Sequence, residues 1–256
     1  MISSLANRLL KRNQSIEWVP MEEPLSFDDK KYSNSTITDY VLRSSRSYLD
    51  IVRNRSPKSS QIHEWEYNFK LLFENIGREK SDLYVFDFGG GLVPLWWNLK
   101  PVITSFKLHW TVCEMEDLVA KSSEFIIEGL SFVSDPDEMP KGVDLLYSRC
   151  ALQYVEDPIE MLKVLLEKEP RTVYLKKLGV SSDNSKQSYW QISNLQDQGP
   201  HQIKNSSERV CYPVHYYPIG DYQDLLEVYG YRVDWFLESD QGIPHAKLIT
   251  LRGTMG

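Results

Sequence analysis

Residues 84–93, Tyr-Val-Phe-Asp-Phe-Gly-Gly-Gly-Leu-Val, constrain the fold more than any other stretch of the chain. An apolar run closes on an acid, Asp87, and gives way to Gly89, Gly90 and Gly91 before apolar residues resume. That order predicts a buried strand, a tight turn and a following helix, the arrangement that seats a nucleotide-like ligand at a strand-to-helix turn. Glycines serve a purely structural turn equally well, so the functional reading depends on the residues beyond the turn.

Those residues keep the spacing of a βαβ repeat. Residues 107–113 (Lys-Leu-His-Trp-Thr-Val-Cys) predict a second strand, closed by Glu114 at 23 positions beyond Gly91. This is near the roughly 20-residue offset at which a second-strand acid meets ribose hydroxyls. A carboxylate suits that task because it accepts hydrogen bonds from two vicinal hydroxyls at once; a solvated strand end is the plainer alternative. Residues 130–135 predict a third strand ending in Asp135, and residues 142–148 a fourth ending in Ser148. Four strands ending along one edge share one crevice.

This ordered series resembles the class I S-adenosylmethionine-dependent methyltransferases. The likeness runs from Asp87 through Phe-Val-Ser-Asp135, Met-Pro140, Val-Asp-Leu-Leu-Tyr-Ser148 and Ala-Leu-Gln-Tyr-Val-Glu-Asp-Pro158, and resumes at residues 226–233, a helix-glycine-strand passage. More narrowly, Asp-Phe-Gly-Gly-Gly, Leu-Gln-Tyr-Val-Glu-Asp-Pro, Tyr-Trp-Gln191 and Cys-Tyr-Pro213 are similar to bacterial methyltransferases associated with surface-glycan gene clusters. The resemblance implies a Rossmann-like α/β fold: a central, mostly parallel seven-stranded sheet with helices on both faces. It implies S-adenosyl-L-methionine as cofactor, held by Asp87, Gly89, Gly90, Gly91, Glu114, Met115, Asp135 and Ser148, with Met115 on the adenine and Asp135 accepting its exocyclic amine. Gln153, Tyr154 and, by the narrower likeness, Gln191 would border the transfer centre. Val93 stands where the family has a third spaced glycine, and Pro94 comes next, near the first turn of a helix, where a missing N–H costs nothing.

At 256 residues the chain fits one α/β domain with an appended segment. A net charge of -7 opposes a nucleic-acid partner, and the fourth strand ends Ser148-Arg-Cys-Ala rather than in the Asn/Asp-Pro-Pro-Tyr of enzymes that methylate bases. Cys113, Cys150 and Cys211 show no metal-ligand or paired spacing, so reduced thiols, a cytoplasmic location and no metal are expected. No stretch has the apolar length of a transmembrane segment; the opening basic stretch would pack on its own domain or touch a membrane surface.

The resemblance further implies that residues 1–80 form an N-terminal helical cap on a methyltransferase domain at 81–256. Ile37, Val41, Tyr48 and Val52, then Ile62, Trp65, Phe69, Leu72, Phe73 and Ile76, fall at helical spacing. Residues 13–36 predict a loop, with Trp18 and Tyr32 available to stack on a substrate ring or to cover the core. Asp157 and Pro158 begin a helix, and residues 170–176 predict a fifth strand. The polar stretch over 178–212 is expected to be a long irregular insertion hanging over the crevice as a substrate-recognition segment.

For the chemistry, a general base beside an acceptor hydroxyl would receive its proton. The two candidates are His215, within the aromatic passage Tyr-Pro-Val-His-Tyr-Tyr-Pro218, and His201. A histidine packed among tyrosines for structure explains His215 equally well, and His63 reads as a surface histidine. Arg149 and Lys177, at strand ends, and Tyr212 complete the substrate-binding candidates; an acceptor phosphate or carboxylate would suit the two cations, as would local salt bridges. The expected acceptor is a small molecule, most plainly a sugar hydroxyl of a nucleotide-sugar or glycan precursor. A methyltransferase of another small metabolite, a non-catalytic binder and a nicotinamide-dependent oxidoreductase stay open, the last opposed by Pro94 where a third glycine would be needed.

Overall fold

The computed structural model describes residues 16–22, 35–54, 64–101, 103–200, 208–240 and 243–256, with residues 64–68 and 240 described for their backbone alone. His201, His63, Tyr32, Ile62, Ile203, the Trp65 side chain and the basic stretch at residues 1–12 lie outside the described residues.

Strand β1 (Glu17–Pro20) precedes two long helices, α1 (Ser35–Arg53) and α2 (Glu64–Ile76). The alternating series then begins with β2 (Asp82–Phe88), the one-turn helix α3 (Trp96–Leu99), β3 (Lys107–Cys113), the one-turn α4 (Glu116–Val119), β4 (Leu130–Val133) and β5 (Leu145–Arg149). It continues through α5 (Pro158–Leu166), β6 (Thr172–Ser181), β7 (Gln187–Asn194), β8 (Arg209–Pro218), α6 (Ile219–Val228), β9 (Tyr231–Asp240) and β10 (Ala246–Met255).

Parallel pairing of β4, β3, β2, β5 and β6, with β10 antiparallel between β6 and β9, makes a seven-stranded sheet. This is the expected Rossmann-like architecture. Alternation along each strand divides the core in two. Leu83 and Val85 of β2, with Leu108, Trp110 and Val112 of β3, meet Ile37 and Val41 of α1 and Phe69 and Phe73 of α2 on one face. Phe86 and Phe88, on the opposite side of β2, join Leu162, Leu165 and Leu166 of α5 and Tyr222 and Leu226 of α6. Helices α1 and α2 therefore share a core with the strands. Asp157 caps α5 by accepting from the amides of Ile159 and Glu160, both at 3.0 Å, with Pro158 at the first position. Gly230, at φ +84°, ends α6 in the left-handed conformation that lets the chain turn into β9.

Besides strand β1, which stands within the expected loop over 13–36 and pairs with β7 rather than joining a helical cap, four features differ from the sequence expectation. After the glycine turn no long helix forms: Val93 turns into the core, Pro94 breaks the run, and a single turn over Trp96–Leu99 takes its place. Between β4 and β5 stands only a short 3-10 turn, Pro136–Glu138, so the second face of β2, β3 and β4 is partly open. There Tyr84 is exposed and stacks on His109 at 4.6 Å. The fifth strand runs past residue 176, because a bulge absorbs an extra residue. Thr250 of β10 faces both Lys176 and Lys177, and Lys177 takes φ +51°.

The fourth concerns the polar stretch at 178–212, whose described residues include strand at 178–181, 187–194 and 209–212. Strands β7 and β8 pair antiparallel from Gln187↔Tyr216 to Asn194↔Arg209, and β1 pairs along β7. The resulting three-stranded ribbon joins the main sheet where Tyr217 and Pro218 of β8 meet Val180 and Ser181 of β6. Strand β5 pairs with β6 only as far as Lys176, so β8 takes up the same edge of β6 beyond the end of β5. The ribbon thus rises past the carboxyl ends of the parallel strands.

Candidate functional site

At the end of β2 the Asp87 side chain is buried at 1% exposure and accepts a 2.9 Å hydrogen bond from Trp110 Nε1. Its other oxygen, Oδ1, is buried with no hydrogen-bond partner. Burial pushes the carboxyl up to about 8; the Trp110 bond opposes this, the nearby Glu114 adds to it, and Arg149 opposes it. The glycine turn is shaped around this group. A Cβ on Gly90 would stand 2.3 Å from Asp87 Oδ2, and one on Gly89, which has φ +73°, 2.2 Å from Ala151 Cβ. Gly91, at φ +69°, has open space where its Cβ would be, and its amide donates to Glu114 Oε1 at 3.1 Å.

Glu114 is pinned a second time, through Oε2, by the amide of Met115 at 3.0 Å. Two main-chain donors fix the orientation of the carboxylate, although burial still raises its pKa above the ordinary value. Glu114, Met115 and Gly89 line a cavity of about 650 Å³, together with Ser134 and Pro136 from the end of β4. Phe88, Cys113, Cys150 and Ala151 continue the lining along the carboxyl ends of β2, β3 and β5. Neighbouring strands leave β2 in opposite directions here, the position at which open α/β sheets take ligands.

The far wall comes from the ribbon and from the turn after β5. Tyr154 donates to Gln191 Oε1 at 3.2 Å, Gln191 Nε2 donates to the Tyr212 hydroxyl oxygen at 2.6 Å, and Tyr212 lies 3.5 Å from Ser193 Oγ. Gln198 Nε2 donates to Ser193 Oγ at 2.9 Å. All five side chains line the cavity, and Asp197 and Ile16 lie beside them. Gln191 stands directly opposite Tyr212 in the β7–β8 pairing, so alternation brings Gln191, Ser193 and Tyr212 to one face.

Tyr154, Gln191 and Tyr212 are thus brought together, with Gly89, Glu114 and Met115 in the same cavity. Asp135 is exposed, between the lining residues Ser134 and Pro136, and its Oδ1 accepts from the Asp137 amide at 2.9 Å. Ser148 is buried within β5, and neither it, Arg149 nor Lys177 is in the lining. Gln153 is buried and engaged with β6 at the bulge, donating to Lys177 O and accepting from Gly179 N, each at 3.4 Å.

His215 also stands outside the lining. Its Nδ1 is 2.8 Å from Ser188 Oγ, and burial, then Lys186, lowers its pKa. The geometry therefore does not support the base expected there. Cys113 and Cys211 are buried and Cys150 half-buried, none of them in a disulfide. Sequence reasoning missed Ser193, Asp197, Gln198 and Ile16; the one signal available was the alternation of Gln191 and Ser193 on a strand not recognised as one.

No protein-family model matches the chain, and no curated protein matches it. Among solved structures, the chain is similar to an S-adenosylmethionine-dependent methyltransferase from Clostridium acetobutylicum, at 12% identity and TM-score 0.49 over 82% of this chain and 98% of that one. A magnesium protoporphyrin IX methyltransferase from Synechocystis, with SAH bound, aligns at 11% identity and TM-score 0.46 over 86% and 99%. An amino pentose methyltransferase from Micromonospora echinaspora aligns at 8% identity and TM-score 0.46 over 91% and 100%.

Proposed function

We propose that this chain is an S-adenosylmethionine-dependent methyltransferase acting on a small polar acceptor, with a sugar hydroxyl of a glycan precursor as the fitting class. The observation that carries the reading is Glu114, fixed by the Gly91 and Met115 amides in the wall of the cavity. A carboxylate so oriented accepts from a ribose diol with no further ordering.

The residues present fit the cofactor in three respects. Gly91 leaves open space for close approach, Met115 offers an apolar surface to a base, and the cavity, at about 650 Å³, is within the usual range for small-molecule sites. Asp135 would meet the exocyclic amine through the oxygen not used on Asp137. Asp87 would act from beneath the turn, through its close approach to Gly90. When bound, S-adenosylmethionine supplies an electrophilic methyl group. The protein's own part is then to hold an acceptor in line and exclude water.

Titration calorimetry of the full chain with S-adenosylhomocysteine and, separately, with NADH tests the reading. Saturable binding of the thioether with no binding of NADH is the expected result; binding of NADH alone rejects it.

A further inference from the structure

Resting on that reading, we infer that the wall built by Tyr154, Gln191, Ser193, Asp197, Gln198 and Tyr212 is the acceptor subsite, and that it takes a hydroxyl-rich ring bearing no anionic group.

The nucleoside end of the cavity, at Glu114 and Met115, draws on β3, whereas this wall draws on β7 and β8; in the sheet the two stand on opposite sides of β5 and β2. A second ligand lying between them reaches both.

The wall is built, rather than incidental. Gln191, Ser193, Gln198 and Tyr212 are 6%, 1%, 7% and 6% exposed, yet all border the cavity. Burying four polar side chains side by side is costly unless they are mutually bonded, as they are here. An apolar wall would have been cheaper. The arrangement sets hydroxyl and carboxamide groups, each able to donate and accept, in a row along one face. That is the complement of a ring carrying several hydroxyls.

Charge then limits the ligand. Among the described residues that line the cavity there is no lysine, arginine or histidine, while Glu114 and Asp197 are both carboxylates. A phosphate or carboxylate on the acceptor would lose hydration, meet two like charges and find no cation among these residues. Arg149 and Lys177, the cations expected to hold such a group, stand outside the lining. Burial, and to a lesser extent the charge of Asp197, raises the Tyr212 pKa, opposed by the bonds to Ser193, Gln198 and Gln191, and both side chains border the same cavity. The subsite thus discriminates against the phosphorylated forms of a sugar that it accepts unphosphorylated.

The test uses the full chain saturated with S-adenosylhomocysteine, titrated calorimetrically with methyl α-D-glucopyranoside, its manno, galacto and rhamno counterparts, and the 6-phosphates of the first three. The expected result is binding of at least one neutral glycoside, at least tenfold tighter than its phosphate. Asp197→Asn should narrow that ratio by improving relative binding of the phosphate, and Ser193→Ala should weaken the neutral glycoside. In both variants the affinity for S-adenosylhomocysteine should stay as in the parent, which also reports that they have folded. Tighter binding of a phosphate, no binding of any neutral glycoside up to 50 mM (on the order of the weakest affinities such a site would show), or an unchanged ratio in Asp197→Asn would overturn the inference. Failure of S-adenosylhomocysteine to bind would instead overturn the cofactor reading.

Discussion

Replacing Asp87 by asparagine should remove a pH dependence of stability that the buried carboxyl imposes on the cofactor-free protein. In the native state this group is raised from 3.8 to about 8, chiefly by burial. The native state therefore retains a proton that the unfolded chain has released throughout that window. Stability then falls as pH rises from about 4 towards 8 and levels off beyond. At ~1.4 kcal/mol per pH decade, the full excursion amounts to roughly 6 kcal/mol, an upper bound because local relaxation and water entry reduce it to a few kcal/mol. Asparagine keeps an oxygen for the Trp110 Nε1–H bond and carries no charge. Urea unfolding at pH 5, 7 and 9 should show the parent losing several kcal/mol across the series and Asp87→Asn losing far less, the variant being the more stable at pH 9. Because the two proteins differ only at this side chain, their difference reports chiefly on Asp87. A difference that stays constant from pH 5 to 9 would refute the reasoning.

Gly90→Ala should destabilise the fold by about 1–3 kcal/mol, since a Cβ 2.3 Å from Asp87 Oδ2 must displace the carboxylate from Trp110; at ~2–4 °C per kcal/mol this lowers the melting temperature by several degrees, and an unchanged melting curve would contradict it. Glu114→Ala should weaken S-adenosylhomocysteine binding by roughly 10- to 100-fold, the ~1.5–3 kcal/mol of hydrogen bonds to a charged group, as read by calorimetry; equal affinity would count against the ribose assignment. His215→Ala should leave that affinity and any turnover intact while costing about 1 kcal/mol through loss of the Ser188 bond, so a fall in turnover of orders of magnitude would return His215 to the mechanism.

The Glu114 end of the cavity was legible because its signals are local. Asp87 and Glu114 each close an apolar run, and parallel strands must deliver those ends to one edge, whatever packs around them. The glycine turn announced itself in the same way, and the helix start at Asp157-Pro158 carried its own capping chemistry. The opposite wall was legible only in part: Tyr154, Gln191 and Tyr212 stood among the candidates, but nothing local marks the strands that bring Ser193 and its neighbours to them. Residues 187–194 are polar on one face and partly apolar on the other, and they hold as a strand through partners 15 to 29 positions away, from Asn194↔Arg209 to Gln187↔Tyr216. Such long-range pairing leaves no mark on composition, so a ribbon reads as a loop. The bulge at Lys177 hid the extension of the fifth strand, since it shifts the apolar alternation from Val173 and Leu175 to Leu178 and Val180. Pro94 was visible, but its effect was not: with Val93 anchored in the core, the turn resolves into Trp96–Leu99 rather than a long helix.

A crystal structure of the full chain with S-adenosylhomocysteine tests the central claim most directly. The ribose hydroxyls should lie within hydrogen-bonding distance of Glu114, with the Gly91 and Met115 amides still holding that carboxylate and the sulfur directed toward Tyr154 and Tyr212. A nucleoside bound elsewhere, or lying in the cavity with its ribose away from Glu114, would contradict it.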